Sequence, residues 1–232
     1  MRNITAIFTK QAKDMLKNPV VLMMFAIFPA VAFIMTNTVP IPENDFVSEN
    51  MFVTMMAAIF AGMGLLTAAS DVIAEDIERG SLRFLVIAGV KPHEYLIGTG
   101  GFFLLAGTVT SVVFALIGRF SGIEFIKFMV IMVTGTAASI ILGAVIGIWS
   151  KNRQAVTALA MPVAVIIGFT PMIAGFNETV ARAAGVLYTQ QINVIVNDFS
   201  ESLAKPLLVV ASNIAVLAVM FIVAYKKKGL KV

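Results

Sequence analysis

Six apolar stretches dominate this chain, and they leave it one class of fold. They run near Pro19–Val39, Met51–Ile73, Tyr95–Ile117, Phe125–Ile148, Ala155–Ala174 and Pro206–Tyr225. Each approaches or exceeds the ~20 residues that carry an α-helix across about 30 Å of hydrocarbon. Backbone groups inside a bilayer must be bonded within their own segment, so each stretch reads as a spanning helix. The chain is therefore expected to be an all-α membrane protein with one domain over residues 1–232. Charged residues make up only 13% of it, against about a quarter in a soluble domain.

The charges between the spans fix an orientation. Arg2, Lys10, Lys13, Lys17, Arg79, Arg83, Lys91, Lys151, Arg153, Lys226, Lys227, Lys228 and Lys231 fall on one side of the span pattern, and only Arg119, Lys127, Arg182 and Lys205 on the other. That is 13 of the 17 basic residues on one side, while the acidic residues divide 6 to 7. A bias in Lys and Arg without one in Asp and Glu is the mark of the positive-inside rule. Both termini are therefore expected in the cytoplasm, the protein being multi-pass in the plasma membrane. The sequence pI near 9.4 is not a nucleic-acid signal, because the basic residues sit beside the spans, where anionic inner-leaflet lipid attracts them. The chain has no Cys, which removes disulfides and thiolate metal sites. The first apolar run is longer than the roughly 7–15 residues of a signal h-region and lacks a clear small-x-small cleavage pattern.

Residues 4–17 alternate as an amphipathic helix. Ile4, Ile7, Phe8, Ala12, Met15 and Leu16 lie on one face, with Thr9, Lys10, Lys13, Asp14 and Lys17 opposite. A helix of this kind suits the membrane interface; an extension of the first span is the alternative. Pro40 and Pro42 end that span, and Glu43, Asp45 and Glu49 form a short acidic outer loop. The outer stretch 175–204 mixes small, apolar and polar residues and is expected to hold one or two short helices.

No Asp, Glu, Lys, Arg or His falls deep within an expected span. Intramembrane charges mark proton relays and ion sites, so the pattern disfavours an ion-driven carrier, an intramembrane protease and a metalloenzyme. The single His93 lies in a loop. No catalytic constellation is present, and no catalytic, cofactor or metal residue is assigned. Gly135, Ser139, Gly143 and Gly147 recur every fourth position of the fourth span, a stripe that lets another backbone approach. It reads as packing within the subunit first and as a subunit interface second. Pro162, Gly168, Pro171 and Gly175 interrupt the fifth span, with Pro171 and Gly175 expected to break it near its outer end.

The stretch 71–94 between the second and third spans is polar and densely charged. Ser81 can cap a short helix whose Leu82, Leu85 and Val86 form an apolar edge, Gly89 can end it, and Pro92 can begin the next helix. Flanked by Glu78, Arg79 and Arg83, this helix suits docking in a groove of another protein. An amphipathic connector on lipid head groups fits the same pattern. The runs Glu78-Arg79-Gly80-Ser81-Leu82 and Val90-Lys91-Pro92-His93-Glu94-Tyr95-Leu96-Ile97-Gly98 resemble the membrane subunit of ABC transporters of the type-two exporter class. The plan of six spans with an interfacial N-terminal helix is similar over nearly the whole chain.

The resemblance implies that residues 4–17 form an elbow helix and that Glu78–Gly89 contain a coupling helix. Glu78, Arg79, Gly80, Ser81, Leu82, Arg83 and Leu85 would then be docking positions, and the fifth-span break with 175–204 an outer re-entrant region. It also implies a separate cytoplasmic ATP-binding subunit holding ATP and Mg, and a second six-span subunit, identical or related. The chain itself has no Gly-x-x-x-x-Gly-Lys-Ser/Thr phosphate loop. Its outer loop between spans one and two is too short for a large extracellular domain. One Trp and three Tyr are few for a sugar pathway, so a drug, peptide or lipid is the expected cargo. A membrane scaffold or sensor that uses 71–94 to hold a partner is the reading from another class.

Overall fold

The computed structural model describes residues 2–40 and 50–230. The acidic loop expected around Glu43, Asp45 and Glu49, and the basic Lys231, lie outside the described residues. Among those described, all regular structure is helical and six helices are long and apolar enough to cross a membrane.

Helix α1 (Arg2–Leu16) precedes the first span, α2 (Pro19–Thr38). The second span is built from α3 (Met51–Ile59), a single π-helical turn (Phe60–Gly64) and α4 (Leu65–Glu78). A short α5 (Ser81–Ile87) follows. The third to fifth spans are α6 (Pro92–Ile117), α7 (Gly122–Trp149) and α8 (Arg153–Ala174). Two short helices, α9 (Glu178–Ala184) and α10 (Tyr188–Asn197), come before the last span, α11 (Ala204–Leu230).

The spans are not equivalent. The second and fourth are mostly enclosed, with 67% and 61% of their apolar windows buried, and they pack on each other along α4 and α7. The first and sixth are buried over only 17% and the fifth over 28%, so their apolar side chains face outward. The small-residue stripe explains the central contact. A Cβ on Gly147 would sit 2.8 Å from the Ser70 carbonyl, one on Gly143 would overlap the Leu66 carbonyl, and one on Gly135 would sit 2.7 Å from Ile192. The stripe thus meets α4 at two positions and α10 at a third. Phe60 joins the first three spans, its ring centroid 5.9 Å from those of Phe25 and Phe28 and 5.8 Å from Phe114, within the range of favourable aromatic pairs.

Two boundaries differ from the sequence expectation. The second span continues as helix to Glu78, past Ile73, so the polar stretch 71–94 opens with two more helical turns. Their carboxylates can sit there because neighbouring helices bond them, as described below. The fifth span does not break at Pro171. Helix α8 runs through Pro162 and Pro171 and ends at Gly175. Having no N–H, Pro171 leaves the Ile167 carbonyl without its helical donor, and the Thr189 hydroxyl of α10 donates to that carbonyl at 2.7 Å. Asn193 Nδ2 donates to the Pro171 carbonyl at 3.2 Å. Gly168 is a contact residue as well: a Cβ on Gly62 of the π-turn would lie 2.8 Å from its Cα.

Candidate functional site

At the end of the bundle that carries α1 and α5, charged side chains of several helices meet around the last turns of α4. Asp76 is 5% exposed, yet both carboxylate oxygens are engaged. Lys10 Nζ of α1 donates to Oδ1 at 2.9 Å, and the buried Tyr95 hydroxyl of α6 donates to Oδ2 at 2.8 Å. A buried carboxylate is tolerated when paired in this way. Asp71 accepts from Arg153 Nε of α8 at 3.0 Å and from its Nη2, a two-pronged contact that fixes the guanidinium plane. Glu75 lies 2.6 Å from Arg79 and 3.5 Å from Arg153. The Glu78 carboxylate accepts the Arg153 backbone N–H at 3.1 Å, at the first turn of α8. One helix end therefore holds α1 and α6 through the two oxygens of Asp76, and α8 through Asp71, Glu75 and Glu78.

Helix α5 is mounted directly on that end. Gly80 adopts φ +72 at its start and Gly89 φ +79 just past its finish, with nothing within 4 Å of either position's absent Cβ. At the finish, Gly89 N–H bonds the Val86 carbonyl and Val90 N–H the Leu85 carbonyl, both at 3.0 Å. This is the double bond pattern of a glycine-terminated helix. Ser81, expected as the cap, is instead the first helical residue and makes no capping bond; Gly80 occupies the cap because the corner needs a left-handed residue. Glu94 then accepts the Lys91 N–H at 3.0 Å and Pro92 opens α6.

The docking positions expected from the sequence divide between two faces. Leu82 is 5% exposed and belongs to a buried cluster that includes Ile73, Tyr95, Val145 and Phe221, while Leu85 and Val86 are half-buried on the same cluster. The Leu82–Leu85–Val86 edge is thus spent on the chain's own bundle, which supplies the apolar partner that the edge needs. Glu78, Arg79 and Arg83 are exposed, and Gly80 and Ser81 half-buried. The outward face carries two large apolar side chains that the sequence reading passed over, Phe84 and Ile87, each 71% exposed. Their three-residue spacing was the available signal. Asp71, Asp76, Tyr95, Lys10 and Arg153 were also missed as a set, because their partners come from four segments far apart in sequence.

Next to the carboxylates, between α2, α4 and α8, lies a cavity of about 320 Å³. Met24, Phe28, Met63 and Met161 make its apolar wall, and the Asp71–Arg153 pair and Asn18 its polar end. The π-turn borders it through Met63 and Gly64. That turn is held from behind. The Leu65 N–H bonds the Phe60 carbonyl, depriving the Ala61 carbonyl of its helical donor. Ser139 of the α7 stripe donates to Ala61 and accepts from the Tyr188 hydroxyl of α10 at 2.8 Å. Mixed apolar and polar walls suit an amphipathic small molecule, and no group of three metal-ligating side chains occurs among the described residues.

A family model described as ABC-2 type transporter matches residues 2–178, from α1 to the first residue of α9. No curated protein matches the chain. The match takes in 177 of the 232 residues and five of the six spanning helices, together with α5 and the carboxylates beneath it. The chain therefore belongs to the ABC-2 type transporter family, as a multi-pass membrane permease.

Proposed function

We propose that the chain is the permease subunit of an ATP-driven exporter. ATP and Mg are held by a separate cytoplasmic ATP-binding subunit, which docks on α5. A second six-span subunit completes the pathway, and the α5 end faces the cytoplasm of a plasma membrane. The cargo is hydrophobic or amphipathic, in keeping with the methionine- and phenylalanine-walled cavity and its polar end. In this reading α1 is the elbow helix and α5 the coupling helix.

The observation that carries the reading is the division of α5 into two apolar faces. Its inner face is buried against α4 and α11, while Phe84 and Ile87 stand free at the tip. A force applied to the outer face moves the inner one, since Leu82 leaves no slack. Through Gly80 the displacement enters α4, whose carboxylates carry it to α1, α6 and α8. Helices α4 and α8 are two walls of the cavity, so closure of the ATP-binding subunits alters its shape without any titrating group in the membrane.

The test is co-purification from native membranes in mild detergent. A stoichiometric partner carrying a phosphate loop is expected with the wild-type chain. The double exchange Phe84→Asp with Ile87→Asp should abolish that association while membrane insertion stays intact, since both side chains point away from the bundle. Retention of the partner by the double variant would refute docking at α5.

A further inference from the structure

A second cavity, of about 280 Å³, lies between α1 and α4 and is lined by no residue of α6. Its walls are polar and contain three cations, Lys10, Lys17 and Arg79, and three carboxylates, Asp14, Glu75 and Asp76. Four of these are already matched, Lys10 with Asp76 at 2.9 Å and Arg79 with Glu75 at 2.6 Å. Lys17 and Asp14 remain exposed at the rim with no ion pair among the described residues. Gln11 also lines the cavity. It is only 3% exposed, and its Nε2 has no hydrogen-bond partner. A buried amide donor without a partner, on a residue that lines a polar cavity, calls for an acceptor-bearing occupant.

We propose that this cavity binds the zwitterionic headgroup of a membrane phospholipid, of the kind in which a phosphate carries a primary ammonium. The phosphate oxygens accept from Gln11 Nε2 and Lys17, and the ammonium is held by Asp14. One free cation and one free carboxylate match a headgroup with one charge of each sign; an anionic headgroup would leave Asp14 opposed. A quaternary ammonium would look for aromatic faces, and no aromatic side chain lines this cavity. The source is a lipid and not a soluble phosphate ester because the cavity is continued by an apolar one. Asn18 lines both, and the two occupy successive stretches of the chain from the π-turn to the end of α4, residues 63–71 and 72–79. The first stretch spans roughly 12 Å of helix at 1.5 Å per residue, along which an acyl chain can lie between α2, α4 and α8. The site holds whether or not that apolar cavity carries cargo.

The test uses the delipidated full chain in detergent, titrated with phosphatidylethanolamine, phosphatidylglycerol and phosphatidylcholine and read by native mass spectrometry. Phosphatidylethanolamine is expected to bind once per chain and at least ten-fold more tightly than either other lipid. Gln11→Leu, which keeps the volume and removes the donor, and Lys17→Glu, at an exposed position remote from packing, should each weaken it five-fold or more. Equal binding of the three lipids, or an unchanged affinity in the Lys17→Glu protein, would overturn the assignment. So would soluble O-phosphoethanolamine or inorganic phosphate binding as tightly as the lipid.

Discussion

Leu82 shows at the scale of one side chain how position decides role. Its spacing with Leu85 and Val86 reads as a recognition edge, but it is buried, in a cluster that includes Ile73, Tyr95, Val145 and Phe221. Leu82→Ala should therefore cost about 2–5 kcal/mol, the range for emptying a packed leucine site, seen as a lowered melting temperature of the purified chain. If Leu82 were a docking contact, the same change would leave melting untouched. Gly80 offers a different case. Nothing lies within 4 Å of an added Cβ, so Gly80→Ala meets no clash and its cost is the left-handed backbone alone, about 1 kcal/mol. Gly143→Ala meets the Leu66 carbonyl instead, and overpacking of that kind costs about 1–3 kcal/mol. A larger melting shift for Gly143→Ala than for Gly80→Ala is the expected order.

Among elements, α8 and the second span depart most from regular helices, and both are repaired by α10. Thr189 replaces the donor that Pro171 lacks, and Tyr188 acts through Ser139 on the carbonyl freed by the π-turn. Ser139→Ala strands the Ala61 carbonyl and the Tyr188 hydroxyl in a buried site, where an unmet polar group costs about 1–3 kcal/mol. Tyr188→Phe removes a donor whose absence Ser139 tolerates, since its own proton still reaches Ala61. Hydrogen exchange across Phe60–Gly64 should accordingly rise more in Ser139→Ala than in Tyr188→Phe. Equal protection in the two variants would show that the hydroxyl relay does not hold the turn. The fifth-span prolines were legible as an interruption, yet a helix with a borrowed donor and a broken one have the same sequence.

For the molecule as a whole, the decisive arrangement is that one end of α4 holds three other helices through charged contacts while carrying α5. On the proposed reading these contacts transmit motion and do not merely add stability. Arg153 is half-exposed, so its pairs with Asp71 and Glu75 are screened and contribute little to folding. Arg153→Gln is thus expected to leave insertion and partner association near wild type and to reduce cargo movement per ATP hydrolysed in vesicles. A variant that transports with wild-type stoichiometry would remove α8 from the transmission path. The six spans were plain in the sequence because hydrocarbon demands long uncharged helices. The carboxylate web was not, because Asp71, Glu75 and Asp76 look like loop residues until Lys10, Tyr95 and Arg153 are seen beside them.

By itself, the sequence determined that this chain is an all-helical membrane protein with six spans and most of its basic residues on one side. It also carried the short runs around Glu78–Leu82 and Val90–Gly98 that resemble the family to which the chain belongs. These are properties of the solvent: a bilayer selects length, apolarity and charge placement segment by segment. Tertiary structure alone decided which way each apolar face turns. Lipid and protein interior are equally apolar, so periodicity cannot say whether Leu82 or Phe84 meets the bundle, nor whether Gln11, spaced four residues from Ile7 and Met15, is buried with them. Only the packing of α1, α5, α6 and α11 around the end of α4 settles those choices, and with them which side chains are left free for a partner or a lipid.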